Sequence, residues 1–211
     1  MNRRLFMLID FDILTYIICF IILGFVLLYL KKQRNKSNMY LFFFSVFSFY
    51  IMNVAKYTIF PIEIGTEWVD YLRENRSFSS NINFIPFKEQ DLNQTLLNIL
   101  LSIPFGFGLS YIKKVVNLKT IVLAGLTFSF SIEMTQLIIS LLIGYPYRII
   151  DINDIMANAL GAVIGYAAFL LFSKLVILMV KKSLPENEKL SPFLLYIYKV
   201  SKKDTSQYKA V

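Results

Sequence analysis

Residues 120–143 read TIVLAGLTFSFSIEMTQLIISLLI, and this stretch decides the class of fold. A helix needs about 20 mostly apolar residues to cross a hydrocarbon core about 30 Å thick, because it rises only about 1.5 Å per residue. The run satisfies that length while carrying one ionisable side chain, Glu133. Outward from it, residues 13–30, 39–60, 95–112 and 155–180 are apolar enough to span as well. Asn53 and Lys56 interrupt the second span, and Asn98, Pro104, Gly106 and Gly108 interrupt the third. Neighbouring helices can satisfy the backbone group that a proline frees, so Pro104 does not veto a span. The first span lacks a small-residue cleavage site and is closely followed by others, so it reads as a retained helix and not a signal peptide. The expectation is an all-α, polytopic membrane helix bundle of about five transmembrane helices. Residues 13–180 form the membrane domain, between an extracellular segment 1–12 and a cytoplasmic tail 181–211.

Composition agrees. The chain is 56% hydrophobic and 16% aromatic, against the roughly 45–50% apolar content of soluble domains. It has no His, and its single Cys19 lies in an apolar run, which excludes an internal disulfide, a Cys/His zinc site and Cys–His catalysis. No cofactor is expected, and any chemistry falls to carboxylates, amides, hydroxyls, Lys and Arg.

The net charge of +8 is explained by where the basic residues sit. Lys31, Lys32, Arg34 and Lys36 follow the first span, Lys113, Lys114 and Lys119 follow the third, and Lys181 and Lys182 follow the fifth. Short cytoplasmic loops carry such an excess, so these segments are placed in the cytoplasm and the N-terminal segment outside. Basic loops beside anionic lipid leave no motive for nucleic-acid binding. The other side then collects Asp10, Asp12, Glu63, Glu67, Asp70, Glu74, Glu89, Asp91, Asp151 and Asp154. Past residue 184 the tail is polar, although residues 192–200 suit a short interfacial segment.

Ionisable groups inside a span cost at least about 2.5–3.5 kcal/mol near the bilayer centre, so each is a functional candidate. Glu133 is too deep and too short to reach water along the lipid face; either it is protonated or it faces a polar cavity. Gln136 shares its helical face at i+3. Lys56, one turn from the outer end of its span, is a candidate as well, or a snorkelling lysine. Asp151, Asp154, Asn158, Gly161 and Gly165 recur at spacings of 3, 4, 3 and 4, drawing one stripe with an acidic start and a small-residue end. The glycines suit close helix packing. The two aspartates are either helix caps or part of a site. Gln94 and Asn98 lead into PFGFG at 104–108, which reads either as a broken helix marking a site or as a kink. NFIPF at 83–87 suits the membrane surface, and Arg148 is placed to neutralise an acidic residue or to bind an anionic headgroup.

KYTIFP at 56–61, NFIPF from Asn83, Asn98 leading to PFGF at 104–107, Ser131-Ile132-Glu133 with Gln136, and Arg148 with Asp151, Asp154, Asn158, Gly161 and Gly165 together resemble the VanZ-like family. The resemblance runs over residues 56–165. It implies a multi-spanning protein of Gram-positive-type bacteria, in a family whose namesake is associated with low-level resistance to the glycopeptide teicoplanin. It implies no particular reaction.

The resulting expectation is a pocket opening outward, formed by Lys56, Asn83, Asn98, Glu133, Gln136, Arg148, Asp151, Asp154 and Asn158. It would act on a membrane lipid, a lipid-linked cell-wall precursor or a glycopeptide, and contribute to glycopeptide tolerance. The alternative is an intramembrane enzyme on a lipid-linked substrate, with Glu133 as acid or base and Asp151 with Asp154 holding Mg²⁺ or Mn²⁺. A small transporter is a third class, disfavoured by the lack of an inverted repeat.

Overall fold

The computed structural model describes residues 7–88, 91–113, 116–183 and 190–203. In chain order these form β1 (Met7–Ile9), α1 (Ile13–Lys32), α2 (Asn38–Ile59), β2 (Ile62–Ile64), α3 (Glu67–Asn75), β3 (Ile82–Asn83), α4 (Leu92–Ile112), α5 (Leu118–Ile143), β4 (Ile150–Asp151), α6 (Ile152–Ser183) and α7 (Pro192–Ser201). Five of the helices, α1, α2, α4, α5 and α6, are long and apolar enough to cross a bilayer. They are the five expected spans.

Polar caps extend several of these helices beyond the apolar runs. Asp12, Ser37, Asp91 and Asn117 each accept a hydrogen bond from a backbone N–H in the first turn of the helix that follows. An N-cap satisfies donors that the helix itself cannot, so the helix starts at the cap, not at the first apolar residue. Hence α4 begins at Leu92 where the apolar run suggests 95, and α5 at Leu118 where it suggests 120.

The centre of the bundle is the contact between α4 and α6, and small residues make it possible. A Cβ on Gly106 would fall on the Ala162 carbonyl, one on Gly161 on the Ile99 carbonyl, and one on Gly165 on the Ile103 carbonyl. The two backbones therefore touch, the arrangement small residues permit in membranes. α4 stays helical through Pro104, and Tyr50 of α2 donates its hydroxyl to the Leu101 carbonyl at 2.7 Å in the neighbouring turn. The expected interruption of the third span is thus an uninterrupted helix whose backbone receives a bond from a neighbour.

Aromatic packing fills the end of the bundle that holds α7. Phe105 stacks on Phe128 with centroids 4.3 Å apart, and Phe43 stacks on Tyr111 at 4.6 Å and on Tyr196 at 5.0 Å. The Tyr196 hydroxyl donates to the Tyr111 carbonyl at 2.6 Å, which seats α7 in the core and not simply on a surface.

The opposite end gathers the N-terminal segment, the chain between α2 and α4, and the α5–α6 connection. β1 pairs antiparallel with β2, and β3 pairs parallel with β4. The Tyr145 hydroxyl donates to the Glu63 carbonyl at 2.6 Å, and Arg73 donates to the Ile143 carbonyl at 2.9 Å. The short α3 buries Val69 and Leu72 against Tyr145 and leaves Trp68 and Tyr71 exposed and stacked.

Candidate functional site

Between α2, α4, α5 and α6, at the end that carries the strands, lies a cavity of about 830 Å³. Of the nine residues expected to form a pocket, Asn98, Glu133, Gln136, Arg148, Asp151, Asp154 and Asn158 line it. Helical spacing explains this convergence. α5 presents Ser129, Glu133, Gln136 and Ser140 on its buried face, and α6 presents Asp154 and Asn158 one turn apart.

Hydrogen bonds separate the frame of the cavity from its lining. Asn158 is held on both sides of its amide, donating to Ser129 Oγ at 2.9 Å and accepting from Ser102 Oγ at 2.7 Å. This closes the floor and ties α4, α5 and α6 together. Gln136 donates to the Thr58 carbonyl at 2.8 Å, Tyr147 to the Ile59 carbonyl at 3.4 Å and Arg148 to the Phe60 carbonyl at 3.4 Å. The last carbonyls of a helix lack partners within it, so these three side chains cap the C-terminus of α2. Burial pushes the Tyr147 phenol up to about 12, partly offset by the neighbouring Arg148, so it remains a neutral donor.

The two aspartates of α6 play different parts. Asp151 Oδ1 accepts from the Asn153 N–H at 2.8 Å and from Asn83 Nδ2 at 3.0 Å, so it acts as a cap. The Asp151 N–H donates to Glu133 Oε2 at 3.2 Å. Asp154 instead turns towards the cavity, adjoining the Asn98 amide. Asn98 is only 8% exposed and its Nδ2 makes no hydrogen bond of good geometry. Glu133 is 3% exposed and forms no ion pair among the described residues.

Two expected residues lie outside the lining. Lys56 points away from the cavity, its Nζ 5.6 Å from the centre of the Tyr16 ring and 6.0 Å from that of Tyr57. Asn83 stands one bond behind, holding Asp151 and accepting from the Ile85 N–H at 3.0 Å. It braces NFIPF, whose Phe84, Ile85 and Phe87 are exposed and whose Phe87 N–H is held by Asn153 Oδ1 at 2.7 Å. Arg148 does not neutralise the acidic pair: it makes no ion pair with either aspartate, because its guanidinium is drawn to the carbonyl end of α2.

Sequence reasoning passed over Ser102, Ser129, Asn153 and Tyr147. The first two were within reach, since Ser102 follows Asn98 and Ser129 precedes Glu133 by one helical turn. Among the described residues, no group of three His, Cys, Asp or Glu is arranged to hold a metal ion. With one Asp151 oxygen taken by a cap and a side-chain amide, the aspartate pair fits a divalent cation poorly.

A family model described as VanZ/LLP1 matches residues 47–173, more than half of the chain. No curated protein and no solved structure matches.

Proposed function

The chain belongs to the VanZ/LLP1 family, and from that premise we propose that its polar cavity binds the head of an outer-leaflet lipid or lipid-linked cell-wall precursor. Through that site it contributes to tolerance of teicoplanin-type glycopeptides. The Lys and Arg excess in the alternate segments supports an opening to the outer side of the membrane, where such heads reside. The observation that carries this reading is Glu133, a carboxylate 3% exposed at the wall of a polar cavity, with one hydrogen bond and no ion pair among the described residues. Burying such a group without a counter-ion costs several kcal/mol, an expense that a packing role does not require. With Asp154 nearby, it offers acceptor oxygens to hydroxyl or ammonium groups of a head.

The test is glycopeptide susceptibility in a host that depends on this protein for tolerance. Glu133→Gln keeps the shape and should reach the membrane at normal abundance, with susceptibility returning to that of the strain lacking the protein. Full tolerance at normal abundance would exclude a role for this carboxylate.

An enzyme acting on a lipid-linked substrate is the second reading, favoured by the presence of Glu133, Asp151 and Asp154 around one cavity. In it Glu133 acts as general acid or base, with or without the help of a divalent cation. A thermal shift of the purified chain on adding Mg²⁺ or Mn²⁺, erased by Asp154→Asn, would select it over simple binding, since a ligand stabilises only the state it binds.

A further inference from the structure

The cavity has a wall that soluble ligands do not need. Tyr57 of α2 and Leu97 and Leu100 of α4 line it, yet these three side chains are 68%, 60% and 61% exposed. Leu97 and Leu100 lie five and eight residues past Leu92, so about 7.5 and 12 Å along the helix at 1.5 Å per residue. That is within the span, where an exposed side of the bundle meets lipid. The bond from Tyr50 to the Leu101 carbonyl pins α2 to α4 just beyond Leu100 and sets the lower limit of the opening. On its other side α2 is held shut, by Gln136, Tyr147 and Arg148.

Behind these apolar lips stands a buried donor. Arg148 Nε is buried without a hydrogen-bond partner among the described residues, and Arg148 lines the cavity, as does Asn98, whose amide adjoins Asp154. A buried donor left unmade is costly, and more so when charged, so Arg148 Nε calls for an acceptor-rich group. Arginine in particular matches the oxygens of a phosphate. Of the cavity's carboxylates, Asp151 is bound by Asn83 and Asn153, Glu133 takes the Asp151 N–H, and Asp154 adjoins the Asn98 amide, so the charge that draws a phosphate is that of Arg148, with Arg76 also in the lining.

We propose that the cavity is a lateral site for a phosphate-bearing amphiphile, which enters from the bilayer between α2 and α4 past Leu97 and Leu100. Its phosphate oxygens meet Arg148 Nε, while its chain stays in the lipid against the exposed lips. This rests on the head-binding reading above and adds the route and the anionic group.

The experiment uses the purified full chain in an uncharged maltoside detergent and reads thermal stabilisation by phosphatidylglycerol and by glycerol 3-phosphate, the same head without chains. The lipid should stabilise the protein, and glycerol 3-phosphate should do so at least about tenfold more weakly by concentration, a difference of about 1.4 kcal/mol. Arg148→Gln should weaken the lipid effect by a similar factor. A plug set after folding tests the doorway: Leu100→Cys in a Cys19→Ser background should respond to the lipid before, but not after, reaction with a bulky thiol reagent. An unchanged response after plugging, or equal stabilisation by glycerol 3-phosphate, would overturn the lateral route while leaving head binding in place. Absence of any response to the lipid, or one untouched by Arg148→Gln, would overturn the phosphate assignment, and an unaltered response in Glu133→Gln would count separately against the head-binding reading.

Discussion

Asp151 and Asp154 are three residues apart and chemically identical, yet their neighbours assign them different work. Asp151 is a cap and a brace, and Asn supplies the same acceptor oxygen to Asn153 N and Asn83 Nδ2. Asp151→Asn should therefore cost only a few tenths to about 1 kcal/mol and leave glycopeptide tolerance intact. Asp154→Asn, by contrast, should abolish tolerance at unchanged abundance, because its carboxylate faces the cavity. Immunoblotting of membranes beside susceptibility testing reads both; loss of tolerance in the Asp151 variant alone would reverse the assignment. Tyr147 gives a pH signature. Its phenol is raised by burial to about 12, above the ordinary value of 10.0. The neutral form is thus the one that folding favours, and the stability it contributes is complete below about pH 10 and lost as pH rises towards 12. Thermal denaturation of the wild type should be flat on this account from pH 8 to 9.5 and fall above it, with a shallower fall in Tyr147→Phe. Which residues gather at the cavity was legible where helical spacing places them, as for Glu133, Asn98 and Asn158. What each one does was not, because Gln136 and Arg148 are drawn to carbonyls of α2, some 80 residues away in sequence. No local pattern announces that partnership.

Among the elements, the spans were readable from hydropathy and their ends were not. Apolar runs report the lipid-facing length, while hydrogen-bonded caps such as Asp91 and Asn117 set the true starts. α3 and the four short strands went unread for a related reason: two or three residues carry no periodicity, and the nine residues of α3 are too polar to signal a span. The glycine stripe was read correctly as a packing face, and the α4–α6 contact states its cost. Gly161→Leu would press a side chain against the Ile99 carbonyl. A loss of about 1–3 kcal/mol is expected from overpacking, or a failure to accumulate. Detergent-based thermal unfolding of Gly161→Leu beside Gly24→Leu makes the comparison, since a Cβ on Gly24 meets nothing within 4 Å. Equal melting of the two would mean that α4 and α6 are not packed through this stripe.

At the scale of the whole molecule, the antiparallel run of five spans brings the N-terminal strand, α3, NFIPF and the start of α6 to one end, joined by the two strand pairs. The cavity lies at that end. The Lys and Arg excess in the alternate segments argues that this end faces outward, and the proposed function depends on it. The most direct measurement is thiol labelling in intact cells, in a Cys19→Ser background. Gln94→Cys, exposed at the cavity, and Ser79→Cys, exposed among the loops of the same end, should react with an impermeant reagent. Gln33→Cys, in the connection between α1 and α2, should react only after the membrane is breached. Labelling of Gln33→Cys in intact cells, with Gln94→Cys and Ser79→Cys protected, would place the cavity in the cytoplasm and contradict the account.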